Sequence, residues 1–89
     1  MKNAKQLLRT VEMFEAITQS QTDDYQSLEI LRETYEKLGR TEESRRTSLT
    51  LAAALVNTGQ ISRAILEYEA LQKRYPDDVT VRLALSDLQ

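Results

Sequence analysis

An all-α fold is predicted by three features of the chain. Two glycines and one proline in 89 residues leave few helix breakers. Apolar residues recur every three or four positions, which is the spacing of one helix face. The polar breaks between apolar runs are short, so consecutive helices must pack antiparallel. The expected architecture is a set of antiparallel helical hairpins, about five helices in all.

The first helix is expected over about Asn3 to Gln19. Leu7, Val11, Phe14 and Ile17 form its stripe, and Leu8 and Met13 widen it. A polar run from Thr18 to Asp24 ends it, and Thr22 or Asp23 is placed to cap the next start. A side-chain oxygen there accepts from unpaired helix N–H groups, and acids suit the positive helix end. The second helix is expected over about Asp24 to Leu38, with Tyr25, Leu28, Leu31, Tyr35 and Leu38 on one face. Glu33 and Lys37 stand four apart on its outer face, where opposite charges support a helix. Gly39 sits where a left-handed C-terminal residue is needed.

The third helix is expected over about Thr41 to Asn57, with Thr41 as its N-cap and Glu42 and Glu43 in its first turn. Leu49, Leu51, Ala52, Ala53, Ala54, Leu55 and Val56 cover most of its circumference. A helix apolar nearly all round is buried on more than one side, so this one belongs at the centre. The run Asn57-Thr58-Gly59 ends it. The fourth helix is expected over about Gln60 to Tyr75, burying Ile61, Ala64, Ile65, Tyr68, Leu71 and Tyr75, with Glu69 and Lys73 paired outside. Pro76 lacks an N–H and disfavours helix in the residue before it. Asp77 can then cap a fifth helix, about Asp78 to Leu88, whose stripe is Val81, Ala84, Leu85 and Leu88.

Composition excludes several functions. With no Cys and no His, the chain has no disulfide, no thiolate nucleophile, no Cys/His zinc site and no histidine base. No cofactor or metal is expected. The absence of Cys fits a reducing, cytoplasmic location. Twelve basic against 14 acidic residues give a net charge of −2. Phosphate-binding proteins are basic or carry a basic stripe, so no nucleic-acid partner is expected. The densest basic cluster, Arg40, Arg45 and Arg46, is interleaved with Glu42 and Glu43 and reads as a solvated helix start. Arg9, Glu12 and Glu15 interrupt any apolar run near the start, and no stretch has the length of a membrane span. No signal peptide and no membrane partner are expected.

The acid pairs Asp23-Asp24, Glu42-Glu43 and Asp77-Asp78 all lie at helix starts, where they cap and favour the dipole. No nucleophile–base constellation accompanies them, and there is no glycine-rich phosphate loop. No enzyme is expected. Tyr25, Tyr35 and Tyr68 fall on apolar stripes and read as core rather than as a base-stacking platform.

From Ser48 to Pro76 the chain resembles the tetratricopeptide repeat family. Leu51 and Ala52 hold that pattern's leucine and small positions, Ala64 and Tyr68 its alanine and aromatic, and Pro76 its proline. Ser48 stands where the family has a large residue, and Leu55 stands where it has a tyrosine. The spacing suits a repeat of about 34 residues. Ala52 and Ala64 are expected at the closest approach of the two helices, with Tyr68 filling the space beside them. A shift of about 36 to 38 residues aligns Val11 with Leu49, Met13 with Leu51, Ile17 with Leu55 and Leu28 with Ala64. Residues 4–40 thus form a degenerate first hairpin, 41–76 a well-formed one and 77–89 a terminal helix, all within one domain at 1–89.

The resemblance implies a short solenoid that acts as a scaffold or adaptor for protein–protein interaction. In the family the first helix of each hairpin lines the concave surface. Carried over, those positions are Val11, Glu12, Glu15 and Gln19, then Arg46, Leu49, Thr50, Ala53 and Asn57, then Thr80, Leu83 and Asp87. The implied partner is a peptide or helix. Some members grip a C-terminal carboxylate with lysine and asparagine on these helices. Leu49, Thr50 and Ala53 occupy key clamp positions here, so no carboxylate clamp is expected. Leu49 and Ala53 equally suit packing against a neighbouring helix. The alternative function is self-association or docking on the rest of a larger protein. In that reading the first helix, or the fifth with Val81, Leu85 and Leu88 partly bare, packs on another copy or domain.

Overall fold

The computed structural model describes residues 3–89; Met1 and Lys2 lie outside them. Five helices follow one another: α1 (Asn3–Ser20), α2 (Tyr25–Lys37), α3 (Thr41–Asn57), α4 (Ile61–Arg74) and α5 (Val79–Leu88). Each packs on the next in sequence, giving an elongated all-α stack of 43 × 26 × 16 Å.

Glycine closes the ends of α2 and α3 in one way. Gly39 and Gly59 have φ of 75° and 82°. Beyond them, the Arg40 N–H donates to the Tyr35 carbonyl at 2.9 Å and the Gln60 N–H to the Leu55 carbonyl at 2.7 Å. These six-to-one bonds satisfy carbonyls that a helix end leaves unpaired, and only a left-handed residue lets the chain turn back to make them.

The helix starts depart from the expected caps by one residue. Asp24, not Thr22 or Asp23, caps α2, accepting from the Ser27 N–H at 3.1 Å and the Ser27 hydroxyl at 2.7 Å. Asp78, not Asp77, caps α5, accepting from the Val81 N–H at 3.4 Å. In both turns the second acid is the last non-helical residue, so its carboxylate is the one within reach of the first-turn amides. Thr41 is already helical. Arg40 occupies the cap position of α3 without a side-chain bond, because Gly39 turns the chain one residue sooner.

Three apolar clusters run along the stack. Val11, Leu31 and Tyr35 join α1 to α2. Leu28, Leu51, Ala54, Leu55 and Ala64 join α2, α3 and α4. Ala52, Tyr68, Leu71, Val81 and Leu85 join α3, α4 and α5. Helix α3 contributes to two of them, which confirms its central place and explains its near-continuous apolar surface. Ala52 and Ala64 are both completely buried, Ala52 in the cluster with Tyr68 and Ala64 in the cluster with Leu51. Ala52 follows Leu51 and therefore points about 100° further round α3.

Helix α1 buries less than its stripe suggests. Val11 is buried, while Leu8 and Met13 are exposed, because α1 packs principally on one neighbour, α2. The expected pairs Glu33–Lys37 and Glu69–Lys73 are not within ion-pair distance. The charges instead bridge helices: Arg63–Glu29 at 3.0 Å, Arg74–Glu36 at 3.8 Å and Arg32–Glu67 tie α2 to α4. Arg45 reaches from α3 to the cap of α5 at Asp78, 2.8 Å away, and its guanidinium lies 5.8 Å from the centre of the Tyr75 ring. No described helix is long and apolar enough to cross a membrane.

Candidate partner-binding groove

Two clefts flank one stripe of α3. The first, about 270 Å³, is lined by Glu15 of α1, Tyr35 of α2, and Glu43, Arg46, Thr47 and Thr50 of α3. The second, about 230 Å³, is lined by Ala53, Val56 and Asn57 of α3, Tyr68 of α4, and Ala84, Asp87 and Leu88 of α5. Arg46, Thr50, Ala53 and Asn57 step by four, three and four, so they share one face of α3 between the clefts.

Six of the sequence-derived positions therefore line a cleft: Glu15, Arg46 and Thr50 in the first, and Ala53, Asn57 and Asp87 in the second. Glu12, Gln19, Thr80 and Leu83 are exposed but line neither. Val11 does not line the surface at all, since it is buried against Leu31 and Tyr35. The choice left open between partner contact and packing divides. Leu49 is half-buried against the Ala52–Tyr68–Leu85 cluster, whereas Ala53 is exposed.

Sequence reasoning missed Tyr35, Glu43 and Thr47 in the first cleft and Val56, Tyr68, Ala84 and Leu88 in the second. Tyr35 and Tyr68 carried only the signal of an apolar stripe, and Glu43 that of a helix-start acid.

Chemically the two clefts differ. In the first, the Tyr35 hydroxyl donates to the Glu15 carboxylate, tying α1 to α2 at the cleft wall. Thr47 and Thr50 donate their hydroxyls to the Glu43 and Arg46 carbonyls at 2.7 and 3.1 Å, which leaves their methyls and second lone pairs for a ligand. The second cleft is apolar, with Asn57 and Asp87 as its polar groups. Asn57 donates its amide to Asp23 at 3.2 Å, which steadies the cleft rim against the α1–α2 turn.

Burial, the bond to Glu15 and the charges of Glu15 and Glu43 all raise the Tyr35 phenol far above its ordinary value near 10. Burial also raises Tyr68. A raised phenol holds its proton in the folded state after the unfolded chain has lost it. Its stability contribution is therefore complete below pH about 10 and is lost as pH climbs through the folded value. Denaturant midpoints should fall as pH rises above about 10, and Tyr35→Phe should flatten that fall. An equally steep decline in Tyr35→Phe would contradict the assignment.

The family model for the tetratricopeptide repeat matches residues 45–88. This segment is a tetratricopeptide repeat. No curated protein and no solved structure matches the chain. The repeat spans α3 from Arg45 through α4 and all of α5, which includes one wall of the first cleft and the whole of the second. Tetratricopeptide repeats are protein–protein interaction modules, so protein binding is the class of function this segment supports.

The family's large residue is replaced by Ser48, and the structure shows what stands there instead. Ser48 is buried and lines a narrow cleft with Arg32, Glu36, Glu67, Ala70, Leu71 and Arg74. The Arg32–Glu67 and Arg74–Glu36 pairs that cross between α2 and α4 line the same cleft.

Proposed function

We propose that this chain is a non-enzymatic scaffold, of cytoplasmic location, that binds a peptide or helix of a partner protein. The partner lies in the groove lined by the first helix of each hairpin, α1, α3 and α5. The observation that carries this reading is the pair of clefts meeting on the Arg46–Asn57 stripe of the repeat. Each cleft is small, so side chains of the partner would seat there while its backbone crosses α3. With Leu49, Thr50 and Ala53 at the clamp positions, side-chain recognition is favoured over capture of a C-terminal carboxylate. The division into a degenerate hairpin at 4–40, a well-formed one at 41–76 and a terminal helix at 77–89 belongs to this proposal.

Steric blocking tests it. Ala53→Trp places a bulky uncharged ring between the clefts, and Leu66→Trp places one on the outer side of α4, where Leu66 is 64% exposed. Peptides selected on the wild-type chain from a random display library should lose at least about tenfold in affinity on Ala53→Trp and keep it on Leu66→Trp. Equal binding to both variants would rule out the groove.

Self-association is the second reading, and one observation favours it. The apolar residues left bare on α5 are Val79 and Leu83, 56% and 61% exposed, while Val81 and Leu85 are buried. Val79 and Leu83 stand four apart on one face, the spacing of a helix-packing contact. Sedimentation equilibrium at high concentration decides: a strict monomer excludes this reading, and a Leu83→Arg-sensitive dimer supports it.

A further inference from the structure

We infer that the segment taken by this groove is basic, with an apolar side chain beside the cation that meets Asp87. The inference rests on the groove reading above and adds the chemistry of the partner.

The charges of the two faces are arranged differently. Where α2 meets α4, Glu29, Glu36 and Glu67 are each bridged by an arginine, Arg63, Arg74 and Arg32. That face is neutralised from within. On the groove side, Glu12 and Glu15 of α1 and Asp87 of α5 have no lysine or arginine nitrogen at ion-pair distance among the described residues. Arg46 is the cation on the central stripe, and it leans toward Glu42 at 3.9 Å. Glu43, at the cleft wall, is shared with Arg40 at 3.6 Å. The groove thus keeps acids without a cation partner at its two edges.

Next to the α5 edge the surface is apolar, whereas the first cleft is polar, lined by Glu43, Arg46, Thr47 and Thr50. Ala53, Val56, Ala84 and Leu88, with the Tyr68 ring, line the second cleft beside Asp87. An aliphatic or aromatic side chain fits there, with a cation next to it at Asp87. Opposite charges arranged this way raise the association rate and select against acidic competitors more than they raise affinity. Nucleic acid, with its phosphates, would be repelled by the same edges.

The test is a selection of random dodecapeptides on the full 89-residue chain, followed by anisotropy measurements on the individual peptides. Selected peptides should carry an excess of Lys and Arg over the library. They should bind the double variant Glu12→Lys/Asp87→Lys about tenfold or more weakly. The charge-neutral pair Glu12→Gln/Asp87→Asn should show a smaller loss in the same direction. Glu33→Lys, an exposed change on α2 away from the groove, should have little effect. Affinity should also weaken as salt rises from about 0.05 to about 0.3 M, because exposed charges are screened over that range. Neutral or acidic selected peptides would overturn the inference. So would basic peptides that ignore the double variant or respond equally to Glu33→Lys. These results leave the groove itself standing. The groove reading fails separately, if no selected peptide is displaced by Ala53→Trp.

Discussion

Leu51→Ala should destabilise the chain by about 2–5 kcal/mol, the range for a leucine removed from a well-packed core. Leu51 is fully buried and packs with Leu28 of α2 and Ala64 of α4 in one cluster. Its loss therefore opens a hole where three helices meet. A chain of this length has a total stability on the order of 4–13 kcal/mol. The variant should consequently be marginal or unfolded near physiological temperature. In a domain this small, each kcal/mol lowers the melting temperature by about 4–8 °C. Leu66→Ala is the matched control: the same chemical change at a 64% exposed site should stay within about 0.5 kcal/mol.

The form of the transition carries further information. Repeat arrays are stabilised through nearest-neighbour interfaces, and a short array melts as one unit only if those interfaces are strong. The Leu28–Leu51–Ala64 cluster is the apolar link between the α1–α2 hairpin and the repeat, aided by the α2–α4 ion pairs. Leu51→Ala should melt both hairpins together at a lower temperature. A split into two transitions would mean that the first hairpin is held by its own cluster of Val11, Leu31 and Tyr35 alone.

Helix limits were legible because their causes are local. Gly39, Gly59 and Pro76 each force or forbid a backbone conformation, and the observed ends fall within a residue or so of the expected ones. Caps were legible only to the nearest acid, since Asp23-Asp24 and Asp77-Asp78 offer two candidates and the helix start chooses between them. Side-chain partners across helices were not legible. Arg32, Arg63 and Arg74 cross to acids 34 to 38 residues away, or nearly so, rather than pairing along their own helices. The same holds for Tyr35, whose apolar spacing indicated burial but not the carboxylate at its hydroxyl. As for the groove, Arg46, Thr50, Ala53 and Asn57 of α3 lie within the matched segment and line the clefts. Val11, like Leu49 with which it aligns, packs inward, and the repeat pattern alone does not separate such a packing position from a groove position.

Ala64→Leu tests the repeat geometry most directly. Ala64 has no exposed surface and is surrounded by Leu28, Leu51, Ala54 and Leu55. The added carbons have no space to enter, so α4 must shift or side chains must leave their preferred rotamers, at a cost of about 1–3 kcal/mol. Leucine is nearly as good a helix former as alanine, so intrinsic propensity contributes little to that loss. The double variant Leu28→Ala/Ala64→Leu separates the possible neighbours. Leu28 comes from α2, in the preceding hairpin, and removing its side chain makes room on that side alone. If α2 confines Ala64, the cost of the double variant should fall short of the sum of the two single costs by about 0.5–3 kcal/mol, the size of coupling between residues in contact. Simple additivity would place the constraint on α3 instead, within the hairpin, and an unchanged melting temperature in Ala64→Leu alone would remove the close approach altogether.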